Sequence, residues 1–229
     1  FVMIPRQPAW YHVLLGCMKL GVVAMPGTNL LTAKDIEYRV NRSEAKIVIV
    51  TEEHIEKVNI IRKKCPTLEH LIVVSGEAKD NWICMAEACD KTSPNFNRNK
   101  VAPSQSTDPM LIYFTSGTTS MPKMVERDHA YALAHTITQK YWMTLNETDV
   151  HWTLTDTGWA KAAWGLLFPP LLAGSTILLF DSDGFNPEQH LEIIQRCNVT
   201  TFCAPPTVYR LFAQMDISGY DLSSLRHCI

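Results

Sequence analysis

The stretch Leu111-Ile-Tyr-Phe-Thr-Ser-Gly-Thr-Thr-Ser-Met-Pro-Lys123 holds the residue types best suited to chemistry in this chain. Thr115, Ser116, Thr118, Thr119 and Ser120 gather hydroxyl donors around Gly117, whose small size lets backbone N–H groups approach an anion closely. Met121 and Pro122 then lead into Lys123, a positive charge on a flexible stem. Donors and a cation in that order suit the holding of phosphate. By composition alone a solvated turn is the simpler account, because Ser, Thr and Gly make turns readily. The loop is not a Walker A loop, since no Gly-Lys-Ser/Thr follows, and the chain contains no Gly-x-Gly, which removes the dinucleotide fingerprint.

Such a loop needs a scaffold, and the surrounding pattern supplies one. Short β-branched runs alternate with stretches of helical period, which predicts an α/β fold with a largely parallel sheet. Strands are predicted at 22–25, 46–51, 70–75, 110–115, 151–154, 175–180 and 200–203, and helices at 9–19, 33–41, 53–64, 81–88, 128–142, 158–168, 187–197 and 207–215. The loop therefore leaves the carboxyl end of a strand, where α/β sheets place their ligands. Asn186 is suited to cap a helix opening with Pro187, and Asp128 to cap the helix at 128–142. Residues 91–109 are polar and contain Pro94, Pro103 and Pro109, so a division falls near residue 105, giving parts 1–105 and 106–229.

Composition narrows the partners. Of 229 residues 46% are apolar, and 21 Lys+Arg face 23 Asp+Glu for a net charge of -2. That is enough apolar material for a substantial core, and too little positive field to hold nucleic acid or an anionic membrane. Seven cysteines lie scattered without a zinc spacing and read as buried free thiols in a reducing compartment. Asn41, Asn146 and Asn198 head Asn-x-Ser/Thr triplets that would matter only in a secreted chain. The apolar run 160–180 contains Lys161 and the pair Pro169-Pro170, so it reads as helix, turn and strand and not as a membrane span. Opening at Phe1 and stopping in Leu225-Arg-His-Cys-Ile229, the sequence reads as a piece of a longer protein.

Taken whole, Tyr-Phe-Thr-Ser-Gly-Thr-Thr-x-x-Pro-Lys resembles the signature loop of the AMP-forming acyl-adenylate superfamily. Trp152-Thr-Leu-Thr-Asp-Thr-Gly-Trp159 resembles a block of the medium-chain acyl-CoA synthetases. Cys17-Met-Lys-Leu-Gly21, Met25-Pro-Gly-Thr28, Pro-Lys-Met124 and Ala204-Pro-Pro-Thr-Val-Tyr-Arg210 are similar to further segments of that family, in the family's order. The resemblance implies stacked mixed and parallel sheets flanked by helices, forming part of a large N-terminal domain. It implies ATP, CoA and Mg2+ as partners of a two-step ligation. A carboxylate attacks the α-phosphate of ATP to give an acyl-adenylate and pyrophosphate, and the CoA thiol then displaces AMP.

Carried over by position, Thr115 through Lys123 would cradle the β- and γ-phosphates. Gly158 and Trp159 would border the acyl pocket and the pantetheine route, with Trp159 as an ordinary core aromatic the competing reading and Trp152 and Trp164 read as core. No catalytic residue and no metal ligand is expected within this chain, because the resemblance puts the adenine turn, the Mg-binding Glu, the ribose Asp and the adenylating Lys further on. Two positions depart from the family. Ser120 stands where most relatives have a second Gly, at a cost of about 1–2 kcal/mol if the backbone there is left-handed. Leu30 stands where mammalian relatives have a Gln that touches CoA.

Two other readings stay open. One is a non-catalytic truncated product serving as a nucleotide-binding or interaction module, and the other is a different adenylating enzyme such as a peptide-synthetase domain. The resemblance suggests the mitochondrial matrix, with the cytoplasm as the alternative. Acyl chain length and oligomeric state are left open by the sequence.

Overall fold

Short apolar runs build the first sheet of the computed structural model, which describes residues 1–76, 81–115, 121–182 and 184–229. β1 (Val2–Met3), β2 (Ile47–Val50), β3 (His70–Val73) and β4 (Trp82–Cys84) lie side by side in that order, all parallel. Parallel neighbours cannot be joined by a hairpin, and helices make the crossings. They are α1 (Pro8–Leu20) and α2 (Ala33–Arg42) between β1 and β2, and α3 (Ile55–Ile61) between β2 and β3. In β2 the residues Val48 and Val50 are fully buried while their neighbours are half-buried, so one face meets Ile36, Val40, Val58 and Ile61 from α2 and α3. Each such side chain stabilises the fold by about 1.5–3 kcal/mol.

Helix α2 starts where it does because Thr32 and Asp35 form a capping box. The Asp35 N–H donates to Thr32 Oγ1 at 3.3 Å and the Thr32 N–H to Asp35 Oδ2 at 3.0 Å. The Thr32 hydroxyl, donating to Asp35 Oδ2 at 2.6 Å, and the Thr32 N–H hold the Asp35 carboxyl below its ordinary range. α4 (Met85–Asp90) follows β4 directly, so the helix predicted at 81–88 begins instead as a strand. Trp82 and Cys84 alternate inward there with Ile83 outward, which is a strand's period.

β5 (Pro109–Thr115) and β6 (Lys123–Asp128) form a two-stranded antiparallel ribbon. β6 is absent from the sequence expectation, which begins a helix at Asp128; Asp128 ends the strand, and α5 (Ala130–Ile137) begins two residues later. The segment predicted as a strand at 22–25 makes only isolated bridges, Ala24 with Leu111 and Pro26 with Val2. It shares its backbone groups between two partners: the Ala24 N–H donates to Met110 O at 3.1 Å, and the Gly27 N–H to Val2 O at 2.8 Å.

The chain folds into two compact units. One comprises Phe1–Ala130 together with Asp156–Trp159, and the other Tyr131–Thr155 with Ala160–Ile229. The second unit is built on a parallel sheet from β7 (Val150–Thr153), β8 (Thr176–Ile177), β9 (Thr201–Cys203) and β10 (His227–Cys228), in the order β10-β9-β7-β8. Its helices include α6 (Ala160–Ala162), α7 (Phe168–Ala173), α8 (Pro187–Arg196) and α9 (Pro206–Phe212). Asn186 caps α8 as expected, its Oδ1 accepting from the Gln189 N–H at 3.1 Å, and Pro206 opens α9.

The pair Pro169-Pro170 does not end its helix. A π-helical turn over Ala163–Leu167 precedes it, and the prolines fall in the first turn of α7, where their missing N–H groups have no partner to lose. α7 stops at Gly174, with φ 69°. No helix among the described residues is long and apolar enough to cross a membrane. All seven cysteines are free; Cys65, Cys84 and Cys203 are buried as expected, whereas Cys89 and Cys228 are exposed.

Candidate phosphate-binding ribbon and acyl-pocket segment

The apolar strand β5 carries the front of the signature string inward and releases it at its end. Met110, Leu111, Ile112 and Tyr113 are buried, Phe114 is half-buried and Thr115 is exposed. Thr115 pairs directly with Lys123, the first residue of β6. The two ends of the loop therefore stand side by side, with the hydroxyl-bearing residue of one and the lysine of the other both exposed. Lys123 has no ion-pair partner among the described residues, so its charge is available to an anion. Ser116, Gly117, Thr118, Thr119 and Ser120 lie outside the described residues.

Helix α2 braces this ribbon. Tyr38 Oη donates to the Pro122 carbonyl at 3.0 Å, and the Tyr38 ring meets Phe114 edge-on at 6.4 Å between centroids. The Arg39 guanidinium lies over Phe114, 5.3 Å from the ring centre, and donates to the Asp35 carbonyl at 3.0 Å. A shallow groove of about 470 Å3 beside Met121 is lined by Lys34, Glu37, Tyr38, Asn41 and Arg42. Nothing in the type or spacing of Tyr38 marks it in the sequence.

The second candidate segment, Asp156-Thr-Gly-Trp159, is held in the first unit by its own polar groups. The Thr157 hydroxyl, in a side chain that is buried, donates to the Ile4 carbonyl at 2.6 Å. The Gly158 N–H donates to Asp156 Oδ1 at 2.8 Å. Burial raises the Asp156 carboxyl above its ordinary range, against the opposing pull of the Gly158 and Asn29 N–H groups and the charge of Arg6. Gly158 itself lies against the backbone of Gly27 and Thr28, leaving no room for a side chain. The string thus serves a close approach that only Gly permits.

The facing segment is fixed from its other side. His54 Nε2 lies 3.0 Å from Asn29 Oδ1, and Lys57 Nζ donates to the Asn29 carbonyl at 3.3 Å. Burial lowers the basicity of His54, which favours its neutral form there. Trp159 is 61% exposed, so its indole is not packed into the core of the described residues. Trp152 is a core residue, stacked on His190 with centroids 5.2 Å apart, and Trp164 is half-buried beside Trp142. Leu30 is 85% exposed.

The α/β fold carries a hydroxyl-rich string between two paired strands, ended by a lysine with no ion-pair partner among the described residues, and comparison with known sequences specifies the class of protein. The profile of the AMP-binding enzyme family matches residues 1–229, and the chain belongs to that family. It is 37% identical over 229 residues to acyl-coenzyme A synthetase ACSM4, mitochondrial, of Rattus norvegicus, and equally to acyl-coenzyme A synthetase ACSM5, mitochondrial, of Homo sapiens. Each alignment takes in all of this chain and 39% of the relative, so the chain spans about two fifths of the length of these curated relatives.

Among solved structures, the anthranilate CoA ligase AuaEII in complex with anthranoyl-AMP superposes with a TM-score of 0.90 at 27% identity, over 99% of this chain and 44% of that one. Acetoacetyl-CoA synthetase from Streptomyces lividans shares the fold, with a TM-score of 0.85 at 22% identity over 99% of this chain and 37% of its own.

Proposed function

We propose that the protein acts as a carboxylic acid:CoA ligase of the AMP-forming type, with medium-chain acids as its substrates. The observation that supports this most is the match of the whole chain to mitochondrial acyl-coenzyme A synthetases, reinforced by the Trp-Thr-x-x-Asp-Thr-Gly-Trp string. The same relatives support a mitochondrial location.

In this reading the substrate carboxylate attacks the α-phosphorus of ATP, a carboxylate oxygen bonds to phosphorus, and the bond to the bridging oxygen of pyrophosphate breaks. The CoA sulfur then bonds to the acyl carbon as AMP departs. Thr115, Ser116, Gly117, Thr118, Thr119, Ser120, Met121, Pro122 and Lys123 form the segment that holds the β- and γ-phosphates. Its donors and the Lys123 ammonium stabilise the charge that gathers on the leaving pyrophosphate. Gly158 and Trp159 border the path of the acyl group and the pantetheine arm.

Magnesium is held in such sites chiefly by phosphate oxygens and waters, with one or two carboxylates. Among the described residues there is no cluster of three or more His, Cys, Asp or Glu. When the ion accompanies ATP it neutralises phosphate charge.

The reading is tested by following thioester formation from ATP, CoA and a series of straight-chain acids with the protein in its full native length. A maximum at medium-chain acids is expected. ATP binding without thioester or adenylate from any acid would instead favour the nucleotide-binding module.

A further inference from the structure

We propose that Tyr38 is a positioning residue for the phosphate-binding segment: through its hydrogen bond to the Pro122 carbonyl it sets where the Lys123 ammonium stands. This rests on the reading of Lys123 as a phosphate contact. Three features of the geometry carry it. Tyr38 sits on α2, a helix started by the capping box at Thr32 and anchored in the core by Ile36 and Val40, so its ring is presented from a rigid element. The same ring meets Phe114, the residue before Thr115, and Arg39 covers that phenylalanine.

One helix thus touches the segment on both its entering and its leaving side. Pro122 is the residue immediately before Lys123, and as a proline it has no N–H with which to fix itself to β5. Its carbonyl bond to Tyr38, which joins residues 84 apart in sequence, is a tether on the backbone just outside the ribbon pairing.

Lysine is a flexible point charge, and its aim depends on where its backbone is held. Removing the tether leaves the fold of the sheet in place and lets the Pro122-Lys123 backbone sample more positions. ATP then meets a less well placed cation, while the acid and CoA meet an unchanged site. The loss of one neutral hydrogen bond corresponds to roughly a 2- to 13-fold change.

The test uses the protein in its full native length and compares Tyr38→Phe, Lys123→Ala and the double variant. Tyr38→Phe keeps the ring on Phe114 and removes only the hydroxyl, and a thermal melt checks that the fold is retained. The expected result is a rise of roughly 2- to 13-fold in the KM for ATP, with the KM values for acid and CoA unmoved. In the Lys123→Ala background the same substitution should have no further effect, because the charge it aims is gone.

If Lys123→Ala weakens ATP but Tyr38→Phe does not, or if the two effects multiply independently, the positioning role of Tyr38 is wrong while the phosphate reading stands. If Lys123→Ala leaves the KM for ATP unchanged, the phosphate reading itself fails. A Tyr38→Phe protein that melts early and loses affinity for all three substrates alike would assign Tyr38 to stability and overturn the proposal. The parent protein, carried through the same preparation, is the control on expression and handling.

Discussion

Gly158 is seated directly on the backbone of Thr28: a β-carbon built on it would stand 2.0 Å from the Thr28 nitrogen and 2.1 Å from the Gly27 carbonyl carbon. Both atoms are main chain and cannot turn aside as a side-chain tip can. Replacing Gly158 with Ala must therefore displace one segment from the other, for about 1–3 kcal/mol of lost stability. Trp159 moves with it. The expected outcome is a lowered thermal midpoint together with reduced turnover of the acid, read by melting and by steady-state kinetics; a variant that melts and turns over like the parent would show that the two backbones are not in close contact.

Asp149 is buried, 2% exposed, and Arg226 binds it in a fork, Nε to Oδ1 at 2.8 Å and Nη2 to Oδ2 at 2.5 Å. Burial pushes the carboxyl up, but donation from Arg226, Thr200 and the Asn146 N–H outweighs it and holds the group below its ordinary range. Arg226→Ala leaves a carboxylate with no counter-charge in this fork, at about 3 kcal/mol. That is the low end of the effect for buried pairs, since Arg226 itself is 39% exposed and water can enter its place. Urea titration should show the loss, and Arg226→Lys should recover only part of it because an ammonium cannot make the fork.

His151 is fully buried between Thr201, whose Oγ1 is 2.7 Å from Nδ1, and the Thr153 hydroxyl and Gly165 carbonyl, 2.8 and 3.1 Å from Nε2. Thr153 Oγ1 also donates to the Gly165 carbonyl at 3.0 Å, so its oxygen is free to accept from Nε2–H, and Thr201 donates to Nδ1. This network suits the neutral ring. Burial lowers its pKa from 6.5 to about 4.

The folded pKa lies below the unfolded one, so the unfolded chain gains a proton first as pH falls. Stability should decline from about pH 6.5 to about pH 4 and then level off, with a total on the order of 3 kcal/mol from this group. The measurement is the difference in unfolding free energy between the parent and His151→Gln at several pH values. A difference that stays constant across that window would contradict the account.

The elements whose signal is local were legible in the sequence. The short β-branched runs of β2 and β3 and the Asn186-Pro187 start of α8 each rest on neighbours a few residues apart. β6 was not legible, because Lys-Met-Val-Glu-Arg-Asp is an exposed ribbon edge without a buried face to impose a period. The Pro169-Pro170 pair misled for a different reason: its neighbouring π turn lets the helical path resume, and no residue type announces that.

The candidate site divides in the same way. The string from Thr115 to Lys123 and the glycine at 158 were readable as residue types, whereas the 61% exposure of Trp159 has no mark in its neighbours. The Tyr38 bond to Pro122 and the seat of Gly158 on Thr28 join distant parts of the chain. Such contacts follow from the fold and carry no mark in the local sequence.

The central claim is that Lys123 and the loop before it hold the phosphates of ATP during adenylate formation. Its most direct test is acid-dependent exchange of labelled pyrophosphate into ATP by the protein in its full native length, with octanoate as the acid, set beside Lys123→Ala. The account predicts exchange in the parent and a fall of roughly 100-fold in the variant, the scale seen when a charge-stabilising donor is removed. Exchange of equal rate in both proteins would contradict it.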